Sequence, residues 1–143
     1  MRITMIVLAG IIAALISVFL WGKNEPVTQG TQTKSVAQAL VTIALPDALS
    51  ANAQIGQTAY IAKCSACHGI DAVGRDGVAP PLVHKIYGPN HHGDEAFQRA
   101  VALGVQGHHW PFGNMPPVDG LNRADVALIV RYIRELQQAN GIN

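Results

Sequence analysis

The sequence predicts an all-α domain that follows a single N-terminal transmembrane helix. The transmembrane helix is indicated by an uncharged apolar stretch of 19 residues, Ile3–Trp21. The domain is indicated by three helix-like segments after residue 52, which are separated by loops rich in Gly, Pro and His and show no convincing strand alternation. A chain of 143 residues leaves room for one domain of about 100 residues. We therefore predict a transmembrane signal-anchor at 1–22, a linker at 23–52 and the domain at 53–143.

The apolar stretch is long enough to cross a bilayer once. At about 1.5 Å per residue it makes a helix of roughly 28 Å, close to the hydrocarbon thickness of a membrane. Arg2 precedes the stretch, so the positive-inside rule leaves the N-terminus in the cytoplasm and exports the domain. The alternative is a cleaved signal peptide. Its apolar core would usually have about 7–15 residues, and the triplet Ala51-Asn52-Ala53 lies too far downstream to be its cleavage site, so an uncleaved anchor is favoured.

The predicted linker is rich in Gln, Thr, Ser, Asn and Ala and carries few charges, which is typical of a flexible connector. It contains one apolar run, Val36–Leu45, just before Pro46. This run could lie against the domain or against the membrane. A fully flexible linker would reach roughly 30 Å, which suits a tethered domain that visits partners.

Two helices are predicted in the first part of the domain. The first covers Ala53 to about His68. The second begins with Asp94 as its candidate N-cap, continues through Phe97 and ends near Gly104.

The last predicted helix has the clearest signals. Asn122 can cap it, with Asp125 three residues later completing a capping box, and Gly141 closes it. Apolar side chains repeat at helical spacing along one face and predict the side that packs on the core. These residues are Val126, Ile129, Val130 and Ile133.

The charge balance excludes one class of partner. Ten Lys and Arg against nine Asp and Glu give a net charge of +1. A broad basic surface for a phosphate backbone is therefore absent from the sequence, and we expect no nucleic-acid partner.

Both cysteines fall in the pattern Cys64-Ser65-Ala66-Cys67-His68, and C-x-x-C-H is typical of covalent haem attachment. Near a helix end, residues three apart present both thiols on one face, where each can add to a vinyl group of one porphyrin, and His68 then faces the iron. Three alternatives fit less well. A thioredoxin-like dithiol needs a βαβ setting, a structural zinc site needs two more ligands at finger spacing, and a disulfide leaves the adjacent histidine unexplained. We predict one covalently bound haem c with His68 as an axial ligand of the iron.

Met115 is the candidate for the second axial ligand. It is the single methionine of the domain, because Met1 and Met5 belong to the predicted anchor. The segment Gly113-Asn114-Met115-Pro116-Pro117 cannot extend a helix and predicts a stiff loop that holds the thioether in place. A histidine is the main rival ligand. Thioether ligation raises the reduction potential, which suits electron transfer.

These residues resemble the class I cytochromes c, specifically the small monohaem bacterial members, over about Ala53–Asn143. Gly56 and Tyr60 match the glycine and aromatic of the family's first helix, and Ile129 and Tyr132 match the residues that cross them from the last helix. The resemblance implies the class I cytochrome c fold, three main helices around one covalently bound haem c. A residue without a side chain suits the close approach of two helices at Gly56.

The same resemblance implies two further residues of the haem environment. Pro80 stands where the family's proline accepts a hydrogen bond from the axial histidine, a bond that fixes the imidazole plane. Trp110 is similar to the tryptophan whose indole donates to a haem propionate, although a tryptophan of the core is the simpler alternative.

Five other histidines depart from the simplest members of this family. They are His84, His91, His92, His108 and His109, all in loops between the haem motif and Met115. They could cap helices, bind propionates or face solvent. Two alternatives are a second metal, such as copper held by imidazoles, and an iron switch in which His108 or His109 displaces Met115.

The sequence thus predicts an electron carrier rather than an enzyme. We expect a single-pass protein of the bacterial cytoplasmic membrane, attached through its N-terminal helix, with the haem domain on the periplasmic side, redox proteins as partners and no small-molecule substrate. Two alternatives are a haem c subunit of a larger membrane oxidoreductase and a haem-based ligand-binding or sensor domain.

Overall fold

A computed structural model of the chain describes residues 38–143. The predicted anchor at 1–22 and the first part of the predicted linker lie outside the described residues. Within residues 38–143, no helix is both long enough and apolar enough to cross a membrane. The described part is mostly helical, and its only β-pairing consists of isolated bridges.

The first predicted helix is present but is divided into two. Helix α1 covers Ala51–Lys63, and the short helix α2 covers Ser65–His68. The break falls at Cys64, whose φ of −118° departs from helical geometry. Helix α1 begins at Ala51 because the Ser50 hydroxyl accepts a hydrogen bond from the Ala53 amide and caps it.

The second predicted helix, α3, covers Asp94–Leu103 and ends before Gly104, as expected. Its N-cap, however, is Gly93 rather than the predicted Asp94. The Asp94 carboxylate does not cap the helix, because it accepts a hydrogen bond from Arg134 Nε at 2.9 Å instead. A short 3-10 helix, Lys85–Tyr87, precedes α3 and was not predicted.

The last helix, α4, covers Arg123–Ala139, and its predicted start is confirmed. The Asn122 side chain accepts from backbone amides of the first turn, while the Asp125 carboxylate accepts from the Asn122 amide at 2.9 Å. The predicted apolar face is buried along its whole length. Past the C-cap Asn140, Gly141 has a φ of +72°, as a closing glycine should.

Helices α1 and α4 cross at Gly56, as the family resemblance implied. A Cβ atom on this glycine would overlap the backbone of Leu128 and Ile129 in α4. One turn further along α1, the ring of Tyr60 packs on that of Tyr132 with centroids 5.4 Å apart. Both rings are buried in the main apolar cluster, so this crossing is the centre of the core.

Residues 38–50 belong to the same compact unit as the helices. The Leu40 amide donates to the Val73 carbonyl at 3.1 Å, and the Ala44 backbone exchanges two 2.8 Å hydrogen bonds with the Asn140 side chain. Ile43 and Leu49 pack against the core. Residues 38–50 are therefore attached to the helical unit, because their apolar side chains are removed from water against its core.

Candidate haem-binding site

All six predicted site residues line one cavity of about 330 Å³, within the range usual for ligand and cofactor sites. They are Cys64, Cys67, His68, Pro80, Trp110 and Met115. Much of the remaining lining consists of apolar side chains of α3 and α4. These side chains include Phe97, Val101, Val126, Ile129, Val130 and Ile133.

The C-x-x-C-H motif occupies the break between α1 and α2. The amides of Cys67 and His68 both donate to the Cys64 carbonyl, at 3.1 and 2.9 Å, so one tight turn holds all three residues. The two thiols are free, with Cys64 half-buried and Cys67 exposed. Burial, followed by the neighbouring Cys67 thiol, raises the pKa of Cys64 to about 11. Two free thiols on one short turn are available for two thioether bonds to one ligand.

His68 is buried and oriented by a backbone carbonyl. Its Nδ1 lies 2.8 Å from the Pro80 oxygen, the hydrogen bond that the family resemblance implied. Because a carbonyl only accepts, Nδ1 is the donor, and Nε2 keeps its lone pair. Burial lowers the pKa of His68, although the bond to Pro80 opposes this change. A neutral imidazole of known tautomer is the form that binds a metal.

The loop between α2 and Pro80 is held by the core. The buried Tyr60 hydroxyl donates to the Gly69 carbonyl at 2.8 Å, and the Gly74 amide donates to the His68 carbonyl at 2.8 Å. Ala72 is fully buried at a φ of +59°, a conformation that costs an L-residue free energy. The surrounding contacts thus impose the path that brings Pro80 back to His68.

Met115 is half-buried and held through its backbone. It forms an antiparallel bridge with Val105, in which each amide donates to the other carbonyl at 2.9 Å. Gly104 has a φ of +74°, and a Cβ atom there would approach the Met115 oxygen to 2.5 Å. Only glycine fits here, so the backbone at the end of α3 can lie in close contact with the backbone of Met115.

Trp110 carries the one buried side-chain N or O atom in residues 38–143 that has no hydrogen-bond partner, its indole Nε1. The ring stacks on Phe112 with centroids 5.9 Å apart. Tyr87 also lines the cavity, and burial raises the pKa of its hydroxyl. An unsatisfied buried N–H requires an acceptor, which an acidic group of a bound ligand would supply.

The remaining histidines separate into two groups. His84 caps the 3-10 helix by accepting from the Ile86 amide at 3.3 Å, and its ring meets the edge of Trp110. The other four lie together, three of them in the cavity lining, and five of their six ring pairs have centroids 4.1 to 6.2 Å apart. They are His91, His92, His108 and His109.

Sequence reasoning missed two buried polar residues of α4 that support the site. Arg134 donates to the carbonyls of Tyr87 and His92, both at 2.7 Å, and to the side chain of Gln137. Gln137 in turn donates to the carbonyls of Leu82 and Tyr87. Both residues follow the apolar face of α4 at helical spacing, which is the signal that could have indicated their burial.

The fold and the site define a small helical domain that binds haem covalently. The residues fit this group: two free thiols, an oriented imidazole, apolar walls and an indole N–H that needs an acceptor. The family model described as Cytochrome c matches residues 53–137, more than half of the chain, and the chain belongs to that family. No curated protein and no solved structure gives a significant match. Membership makes this chain a haem c protein of electron transfer, with redox proteins as its partners.

Proposed function

We propose that this chain is a membrane-anchored, exported monohaem cytochrome c that shuttles single electrons between periplasmic or membrane redox partners. We place it in a bacterial cytoplasmic membrane as a single-pass protein, with its haem domain on the periplasmic side. The observation that carries the proposal is the convergence of all six predicted site residues on one cavity, with His68 oriented by Pro80. The apolar stretch Ile3–Trp21 supports the anchor.

Each site residue has a role in this proposal. Cys64 and Cys67 form the thioether bonds, and His68 and Met115 are the axial ligands of the iron. In addition, Trp110 donates its unpaired N–H to a propionate. When bound, the haem would supply an iron ion that gains and loses one electron.

The chain contributes rigid ligand positions and a dry interior. His68 is fixed by its Nδ1 bond and by burial, and Met115 is fixed by two backbone hydrogen bonds to Val105. Ligands that keep their positions in both oxidation states lower the reorganisation that accompanies each electron transfer. The apolar walls of α3 and α4 exclude water and favour the less charged, reduced state.

The site also reaches the protein surface, as transfer to a partner requires. Cys67 is exposed, and Val78, which also lines the cavity, is 40% exposed. A partner that docks at this edge would approach the haem without opening the core. This supports a carrier that reacts at its surface rather than an enzyme that encloses a substrate.

Optical spectra of the haem-loaded protein in oxidised, reduced, and reduced plus carbon monoxide forms test the ligand assignment. We expect the weak long-wavelength band of thioether ligation in the oxidised form and no response to carbon monoxide. Rapid carbon monoxide binding by the unaltered protein would show an open position and would favour the ligand-binding or sensor alternative.

Two further measurements test the anchor and the free shuttle. The full chain should remain in the membrane fraction after alkaline extraction, whereas a chain that begins at residue 35 should be released. After mild detergent extraction, a shuttle should migrate alone. Stable co-migration with other subunits would identify part of a larger oxidoreductase instead.

A further inference from the structure

Four histidines from two loops meet beside the haem cavity. His91 and His92 precede α3, whereas His108 and His109 follow it. One nitrogen of each of His91, His92 and His109 lies within 4.8 Å of the corresponding atoms of the other two. Their ring centroids are 4.8, 5.4 and 5.3 Å apart, so the three rings form a nearly equilateral triangle.

These separations match the geometry of imidazoles around one metal ion. An imidazole that binds through nitrogen at about 2.0–2.1 Å has its ring centroid roughly 3.2 Å from the metal. Two such rings at a tetrahedral angle have centroids about 5 Å apart. Small side-chain rotations would bring the three nitrogens from their present separation to ligand distance.

His92 has the supporting contacts that metal-binding histidines usually have. Its Nδ1 lies 2.6 Å from the Ile86 carbonyl, so Nδ1 donates and Nε2 keeps its lone pair for a metal. The His92 carbonyl accepts from Arg134 at 2.7 Å, and Arg134 is itself held by Asp94. Arg134 thus fixes the loop of His91 and His92 to α4.

His108 lies beside His109 and offers a fourth imidazole nitrogen. Its Nδ1 lies 2.8 Å from the Gln106 carbonyl, which leaves Nε2 as the acceptor, and its ring centroid is 4.1 Å from that of His109. Contact with the haem would not explain the whole cluster, because His91 belongs to the triangle but does not line the cavity.

We propose that His91, His92 and His109 form a binding site for a late first-row transition-metal dication. Neutral imidazoles without carboxylates or thiolates suit copper(II) and zinc(II), with copper(II) bound more tightly, and disfavour calcium and magnesium. The metal joins the loop before α3 to the loop that carries Trp110 and Met115, at the edge of the haem cavity. This site is separate from the haem iron, and it does not depend on the identity of the redox partners.

Calorimetric titration of the haem-loaded full chain with zinc(II) tests the site. We expect one ion per chain with a dissociation constant in the micromolar range or below, no saturable binding of magnesium(II), and no change in the haem absorption. His91→Gln and His109→Gln alter exposed side chains, so they leave the fold intact, and each should weaken zinc binding by at least about tenfold.

His84→Asn is the matched control, because it removes a histidine outside the triangle and keeps an acceptor for the Ile86 amide. This variant should bind zinc as the unaltered chain does. Zinc binding of equal affinity in all three variants overturns the site, and so does the absence of saturable binding in the unaltered chain. A change in the haem absorption of metal-free His109→Gln also overturns it, since that residue would then serve the haem.

Discussion

The two sides of the cavity are built differently. On the His68 side, the ligand is buried, and its loop accepts a hydrogen bond from Tyr60, which packs on Tyr132 of α4 in the core. On the Met115 side, most residues from 106 to 114 are exposed, and the loop is attached mainly through the bridge to Val105. The difference indicates that the histidine side shares its stability with the core, whereas the methionine side can change without unfolding the domain.

The largest effect is expected at the helix crossing on the histidine side. Gly56→Ala places a methyl group against the backbone of Leu128, which cannot move without separating α1 from α4. We expect the free energy of unfolding to fall by about 3 kcal/mol or more, measured by denaturant titration of the haem-loaded protein.

Gly93→Ala is the control for this substitution. The added methyl would have only the Pro89 oxygen nearby, at 3.8 Å, and φ is −61°. It should cost about 1 kcal/mol or less as the loss of a glycine N-cap. Equal losses in the two variants would contradict the crossing as the centre of stability.

The methionine side should show a large change at the iron and a small one in stability. Met115→Ala removes a half-buried side chain, so we expect a loss of about 1–2 kcal/mol, less than for a fully buried methionine. The same variant should lose the thioether band and bind carbon monoxide. Unfolding, or an unchanged spectrum, would contradict the contrast between the two sides.

Trp110→Phe should have a smaller effect, confined to the redox behaviour. The variant keeps an aromatic ring on Phe112 but removes the unpaired indole donor. A lost hydrogen bond to a charged acceptor is worth about 1.5–3 kcal/mol at most, and its differential effect on the two iron states should shift the midpoint potential by tens of millivolts. Spectroelectrochemical titration measures this shift, and an unchanged potential would favour a structural tryptophan.

The smallest effect concerns the attachment of residues 38–50 to α4. Partial burial would raise the pKa of Glu135, but hydrogen bonds from Ser50 and Arg131 outweigh it and lower this pKa. A carboxyl whose pKa is lower in the folded state contributes stability above its unfolded pKa of about 4.3, and this contribution is lost as pH falls through the folded value.

Glu135→Gln should therefore be slightly less stable than the unaltered chain at pH 7, with the difference shrinking as pH falls below about 4.3. Thermal unfolding at a series of pH values measures it. Asp47→Asn is a control for loss of one negative charge, because Asp47 is an exposed carboxylate in the same segment. A constant difference across the pH range would contradict a role for the ionised carboxylate.

Local signals in the sequence were sufficient for much of the fold and site. The capping box of α4 depends on residues three apart, and the haem-binding turn depends on the spacing of Cys64, Cys67 and His68. Interactions over such short distances are determined by neighbouring residues, so a sequence pattern can reveal them. The Pro80 and Gly56 expectations came instead from resemblance to a family, and the structure contains the predicted hydrogen bond and the predicted close approach.

Long-range contacts could not be predicted in this way. Nothing near residue 44 in the chain indicates that its backbone pairs with Asn140, 96 residues later. Arg134 reads in the sequence as one of ten basic residues, yet it is only 7% exposed and supports the loop of His92.

The sequence alone determined the haem-attachment motif, the three main helices and the candidate axial ligands, because these depend on residue type and local spacing. Only the tertiary structure decided the attachment of residues 38–50 to α4, the buried polar support from α4 and the meeting of His91 and His92 with His109. The physical reason is that these features join segments far apart in the chain, and their geometry exists only after the helices have packed.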